Sequence, residues 1–230
     1  MPEGTPVGQG EPLKLRLDRD LQRKVQWAHD TFGLVTRHRP LIELLDQVAR
    51  VAVSDLPVLI LGESGTGKEL IARGVHQLSG RTGSLVEFNC SAVPATMMES
   101  EFFGSVQGSY TGSTRDRAGL FEEAHDGSIF LDEMGEMPVD LQSKLLRFLE
   151  TGEVRRIGAN TSRHVDARLI AATNREAAKM QAGEGFRQDL YYRLAHAVFT
   201  LPPLRSRGDD AALLIDHFLE SFSSAERKRV

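Results

Sequence analysis

Cysteine is almost absent from this chain: Cys90 stands alone among 230 residues. That excludes an intrachain disulfide and a cysteine-rich zinc site, and it makes a reducing compartment, the cytoplasm, the expected location. An excess of one charge is lacking too. The 28 Lys and Arg against 32 Asp and Glu leave a formal net charge of -4, so no global basic field advertises nucleic acid or an anionic membrane surface. Any nucleic-acid contact is therefore local or indirect. No apolar run approaches the roughly 18 residues of a membrane span, and the first residues lack a basic start followed by an apolar core. Neither insertion nor export is indicated. Internal repeats are lacking as well, and residues 1–12, rich in Gly and Pro with little to pack, read as a flexible lead.

What is present is a rhythm of buried strands and helices. Residues 13–32 are charged with scattered apolar positions, so 1–33 reads as a flexible lead and linker or a peripheral helix. From Leu41 the apolar residues Leu44, Leu45, Val48 and Val51 fall at helical spacing, and Pro57 breaks that pattern before the strand Val58-Leu59-Ile60-Leu61. Similar apolar runs at 85–88, 129–131, 168–172 and 197–199 make about five strands separated by helix-length segments. Such strands predict an α/β fold: a mostly parallel five-stranded sheet with helices on both faces. Pro138 and Asp140 introduce a helix with Leu141, Leu145, Phe148 and Leu149 on one stripe, 152–158 suggests a short ribbon, and Leu214, Phe218 and Phe222 fit a last helix.

Two motifs carry chemistry. Gly62-Glu63-Ser64-Gly65-Thr66-Gly67-Lys68 follows an apolar strand and opens a helix. A phosphate cradle needs backbone N–H groups aimed inward, a helix N-terminus behind them and a lysine to reach the terminal phosphates. This is a P-loop, and it implies ATP. The next position, usually Ser or Thr for Mg²⁺, is Glu69. The second half of such a site is a carboxylate at a strand end, and Ser128-Ile129-Phe130-Leu131-Asp132-Glu133 supplies it, with Asp132 for Mg²⁺ and Glu133 as general base. An acidic pair after an apolar strand more often starts a solvated loop, so this motif gains its weight from the first. Asn174 ends another strand, where it can touch the γ-phosphate or the attacking water, or simply cap a helix ahead of Glu176. Arg187 and Arg193 lie on a predicted helix, about 9 Å of axial rise apart, with Asp189 as the one evident acid partner.

Together these motifs resemble the AAA+ ATPase domain of sigma-54-dependent transcription activators, the bacterial enhancer-binding proteins. The resemblance spans residues 34–222 and accounts for Glu69, since glutamate follows the lysine in that family's loop. Phe88-Asn89-Cys90-Ser91-Ala92 resembles the segment whose asparagine contacts the catalytic glutamate and couples nucleotide state to a mobile loop. Phe186-Arg187-Gln188-Asp189-Leu190-Tyr191-Tyr192-Arg193-Leu194 resembles the segment that lends arginines to a neighbouring subunit's ATP. Residues 104–115 are similar to the family's sigma-54 interaction loop, whose tip reads Gly-Ala-Phe-Thr-Gly-Ala. Here the tip is Gly108-Ser109-Tyr110-Thr111-Gly112-Ser113, with Ser for both alanines and Tyr for Phe.

The resemblance implies an AAA+ core over 34–204 and the start of an incomplete helical lid over 205–230, since nothing after Arg205 matches the lid's sensor-arginine segment. It implies an ATPase with ATP and Mg²⁺ as cofactors, assembled as a hexameric or heptameric ring that remodels sigma-54 RNA polymerase. DNA is reached only through a domain outside these residues, and no membrane is involved. Two other readings remain: an ATP-binding regulatory module with little hydrolysis that acts by protein-protein contact, and an AAA+ remodeller of a different target.

Overall fold

The computed structural model describes residues 13–109 and 115–227. A helix α1 (Leu13–Phe32) and a helix α2 (Arg39–Ala52) precede strand β1 (Val58–Leu61), and α3 (Lys68–Ser79) leads to β2 (Leu85–Asn89). Then come α4 (Ala95–Phe103), α5 (Leu120–Glu123), β3 (Ser128–Asp132) and α6 (Val139–Thr151). The short strands β4 (Glu153–Val154) and β5 (Arg163–His164) pair with each other, and β6 (Arg168–Thr173) returns to the main sheet. Helices α7 (Ala177–Gln181) and α8 (Gln188–Leu194), strand β7 (Ala197–Thr200) and helix α9 (Asp210–Arg227) complete the described order.

The main sheet is five-stranded, in the order β2-β3-β6-β1-β7, and every pairing in it is parallel. The pleat sorts its side chains between two cores. Leu59, Leu61, Ile129, Leu131, Leu169 and Ala171 enter one core with Phe102, Phe121, Leu145 and Leu190 from the helices. Val58, Ile60, Phe130, Ile170 and Ala172 enter the other, with Leu41, Leu45, Ile71 and Val75. Burial on both faces is why these strands are continuous apolar runs rather than alternating ones. Strand β1 lies between the central strand β6 and the edge strand β7, so the chain leaves it toward one side of the sheet while β7 closes the other. Ligands of open α/β sheets gather at the carboxyl ends of strands beside such a reversal.

Two elements depart from the sequence expectation. Helix α1 is more than a peripheral linker: Ala28 and Phe32 are 0% and 3% exposed and join the core. The Phe32 ring fits there because position 74 is glycine; a Cβ on Gly74 would come within 2.1 Å of Phe32 Cδ1. Helix α9 forms where the Leu214, Phe218, Phe222 spacing placed it, yet Phe218 and Phe222 are 54% and 69% exposed, so that stripe is not packed in this structure. The ribbon expected over 152–158 is a two-stranded antiparallel pair, Glu153 opposite His164. Among the described residues no helix is long and apolar enough to cross a membrane.

Candidate functional site

The phosphate loop grows directly from β1. Gly62 N–H donates to Thr173 O of β6 at 3.2 Å, so the loop starts while the chain is still tied to the sheet. A Cβ on Gly62 would stand 2.9 Å from Thr66 Oγ1, which makes the tight return possible only without a side chain there. Gly67, the N-cap of α3, has φ 97 and no side-chain cap, so the first N–H groups of the helix stay available to an anion. Glu63, Ser64 and Gly65 form the exposed crest, while Thr66 and Lys68 are 4% and 6% exposed. Lys68 Nζ donates to Gly62 O at 3.0 Å and Glu63 O at 3.1 Å, and it lies 3.9 Å from Glu133 Oε1. Glu69 points away to solvent and pairs with Arg73, which also binds Glu87 Oε1 at 2.8 Å.

Strand β3 carries the acids to the same end of the sheet. Glu133 adopts a left-handed conformation, φ 48 and ψ 41, rare for a residue with a side chain and a form of strain often found at functional sites. Asp132 Oδ1 accepts the Glu133 N–H at 2.9 Å, and Oδ2 accepts Asn89 Nδ2 at 3.4 Å. The resemblance placed Asn89 against the glutamate; the structure places it against Asp132. The cause is register: Asn89 lies opposite Asp132 in the β2–β3 ladder, and Glu133 is turned toward Lys68. Asn89 Oδ1 accepts from Ser91 N–H at 2.8 Å and Ser91 Oγ at 2.7 Å, which fixes the amide's orientation. Burial, then Asp132, pushes the neighbouring Cys90 thiol up to about 12, so no thiolate competes in this site.

Asn174 leaves the carboxyl end of β6 and is exposed. The capping alternative fails, because α7 begins after Glu176 and Asn174 lies two residues too early. Arg187 is the N-cap of α8, locked by Asp189 Oδ2 at 2.6 Å and Ser143 Oγ at 2.9 Å. Arg193 donates to Leu149 O at 3.0 Å and lines a cleft of ≈ 580 Å³ with Arg81, Arg168, His164 and His196. That cleft lies among Leu56, Pro57 and Ala167, at the N-terminal ends of β1 and β6 and away from the phosphate loop.

The stem of the 104–115 loop is braced by backbone. Ser105 bridges both Arg117 and Ile157, and Gly104 and Gly119 meet so closely that a Cβ on Gly119 would stand 2.3 Å from Phe102 O. Arg117 grips Glu101 through two bonds of 2.7 Å, and Arg156 grips Glu122 at 2.6 and 2.7 Å. Of the tip, Gly108 and Ser109 are described; Tyr110, Thr111, Gly112 and Ser113 lie outside the described residues.

Sequence reasoning missed the residues behind the phosphate loop. Arg205 binds both carboxylate oxygens of Glu63 at 2.6 Å, and Arg207 Nη2 donates to Thr66 O at 2.6 Å. Partners more than 140 residues apart leave no local signal in the chain.

An acidic cluster able to cage a cation by itself is not found among the described residues. Asp132, at the end of β3, is a carboxylate that could hold a divalent cation beside a glycine cradle that fits phosphate.

Residues 34–200 match the family described as Sigma-54 interaction domain. The chain is 45% identical over 215 residues to Regulatory protein AtoC of Escherichia coli (strain K12), covering 93% of this chain and 46% of that protein. It is 51% identical over 198 residues to the formate hydrogenlyase transcriptional activator of Salmonella typhimurium (strain SL1344), covering 85% of this chain and 28% of that protein. Among solved structures, NtrX from Brucella abortus in complex with ATP superposes with a TM-score of 0.75 at 33% identity, covering 91% of this chain and 46% of that one. The chain thus spans about half or less of the length of the relatives it matches. On these grounds the chain belongs to the sigma-54 interaction domain family, the AAA+ P-loop domain of sigma-54-dependent transcription activators.

Proposed function

We propose that this chain binds and hydrolyses ATP with Mg²⁺, and that hydrolysis drives remodelling of sigma-54 RNA polymerase to activate transcription. The observation that carries the reading is the meeting of Lys68 and Glu133, 3.9 Å apart at the carboxyl ends of β1 and β3. Bound ATP with Mg²⁺ supplies the γ-phosphoryl group, its charge shared between the metal and the protein's cations. Gly62 anchors the loop to β6, the N–H groups of Glu63, Ser64, Gly65, Thr66 and Gly67 cradle the phosphates, and Lys68 exchanges its two carbonyl partners for phosphate oxygens. Asp132 holds the metal side, with Asn89 steadying its Oδ2. Glu133 orients and deprotonates the attacking water, and Asn174 stands beside it at the end of β6.

Self-association in a ring completes the site, with Arg187 or Arg193 of the adjoining copy stabilising transition-state charge. The tip Gly108, Ser109, Tyr110, Thr111, Gly112 and Ser113 contacts the polymerase, and the stem residues Glu101, Arg117, Glu122 and Arg156 support it. Work on RNA polymerase places the chain in the cytoplasm, with DNA contact left to a domain outside these residues. The deciding test is ATP-dependent open-complex formation with sigma-54 polymerase, comparing the parent with Thr111→Ala. Open complexes with the parent and none with the variant are expected. A parent that hydrolyses ATP yet forms no open complex sinks the activator reading in favour of a different target, and a parent that binds ATP without turnover favours a regulatory module.

A further inference from the structure

Arg207 is 5% exposed although it lies in the connection between β7 and α9, outside the sheet. Its guanidinium spans two carbonyls: Nε donates to Pro202 O at 2.9 Å and Nη2 to Thr66 O at 2.6 Å. Burial pulls this guanidinium below its ordinary value, against the opposing influence of Asp210. Asp210 is itself 1% exposed, and its carboxylate accepts Thr36 Oγ1 at 2.5 Å and the Arg37 N–H at 2.8 Å. A buried brace thus runs from residues 36–37 to Asp210, whose N–H donates to Arg207 O at 3.3 Å, and on through the Arg207 guanidinium to the phosphate loop.

The point of attachment matters. A trans peptide is planar, so Thr66 C=O and Gly67 N–H share one plane and point in opposite directions. Fixing the carbonyl on Arg207 therefore fixes the Gly67 N–H on the other side, where the unpaired donors of the α3 N-terminus gather. This peptide needs such a tether, because glycine at φ 97 has little intrinsic barrier against reorienting.

We propose that Arg207 is a positioning residue of the phosphate loop, setting the Thr66–Gly67 peptide plane so that the Gly67 N–H meets a phosphate oxygen of bound nucleotide. The proposal rests on nucleotide binding at residues 62–68. Arg207 touches no nucleotide itself; it acts through the loop backbone.

The test is ADP binding to the purified chain, followed by calorimetry and by the Gly67 amide resonance of isotope-labelled protein. Arg207→Gln, studied below its melting transition, is expected to bind ADP at least about tenfold more weakly. Its Gly67 amide is expected to lose most of the shift that ADP produces in the parent. Arg207→Lys keeps the charge but not the planar fork, and about a threefold loss is expected. A merely structural role lowers the melting temperature and leaves the Kd and the Gly67 shift of the folded protein unchanged, and that result overturns the proposal. If the Gln form does not fold, the Lys form decides, a Kd within about twofold of the parent being the overturning result. If neither folds, the parent's Arg207 Nε–H resonance decides: it shifts with ADP if the brace is coupled to the loop, and an unmoved resonance overturns the coupling. A parent that binds no ADP overturns the nucleotide reading as well, whereas a binding parent with an unaffected Arg207→Gln overturns this proposal alone.

Discussion

Lys68 Nζ stands 3.9 Å from Glu133 Oε1, with the two side chains 6% and 16% exposed. One arrives from the loop after β1 and the other from the turn after β3, so the sheet itself brings together a cation and a carboxylate that the sequence separates widely. In the proposed site the two have different tasks, one holding phosphate and the other activating water.

Their substitutions should therefore separate binding from turnover. Lys68→Ala is expected to weaken ATP binding about 10–100-fold by removing a charged donor. Glu133→Gln, which keeps shape and hydrogen bonding but not basicity, is expected to bind ATP about as well as the parent while turnover falls at least about 100-fold. Calorimetry and phosphate release read the two quantities. Equal turnover by Glu133→Gln and the parent would remove Glu133 from the chemistry.

Gly119→Ala should disrupt the stem of the 104–115 loop. The added Cβ would lie 2.3 Å from Phe102 O and 2.4 Å from Gly104 N, both backbone atoms with no rotamer to yield. A loss of about 2–3 kcal/mol in unfolding free energy is expected, measured by denaturant titration. An unchanged midpoint would mean that the two strands of the stem are further apart than described.

Arg168→Met tests a purely structural cation. Arg168 is 2% exposed and donates to the carbonyls of Val51, Ala52 and Leu56, closing the C-terminus of α2. Burial lowers its guanidinium to about 10. Methionine fills the space but removes the Arg168 donor from the Ala52 and Leu56 carbonyls, while Val51 O keeps Ser54, so about 2–3 kcal/mol of stability should be lost. Denaturation monitored by circular dichroism measures it, and a loss within experimental error would contradict the capping role.

Acid should loosen the loop stem through Glu122. The Arg156 guanidinium holds this carboxyl below the usual carboxylate range, with Arg163 adding to the effect against the opposing influence of burial. A depressed folded value means that the contribution is fully present above the unfolded value of about 4.3 and is lost as pH falls through the folded one. The melting temperature of the parent should therefore fall more steeply than that of Glu122→Gln as pH drops below about 4. Parallel curves for the two proteins would count against the pair.

The strands and the phosphate loop were legible because their signals are local. Val58 to Leu61 is buried on both faces, and a doubly buried strand can only be a continuous apolar run. The glycines at 62, 65 and 67 announce their loop within seven residues of chain. Helix α1 was not legible as core, since what receives Phe32 is the missing side chain of Gly74, forty-two residues on. The partner of Asn89 follows from strand register, which composition does not encode. Arg207 reads as one more charged residue after a proline pair, and its burial depends on a loop on the far side of the sequence.

The parallel register of β1 and β7 sets Val58 opposite Ala197 and Leu61 opposite Thr200. The phosphate loop follows the far end of β1, whereas Arg193 precedes the near end of β7, and four strand residues span about 13 Å. One copy therefore cannot offer Arg193 to its own loop, and a junction in which Arg193 is the acting arginine is a property of pairs. Specific turnover should climb with total protein. Mixing an Arg193→Ala preparation with a Lys68→Ala preparation should rebuild activity that neither has alone, wherever the intact loop of one copy meets the intact arginine of another.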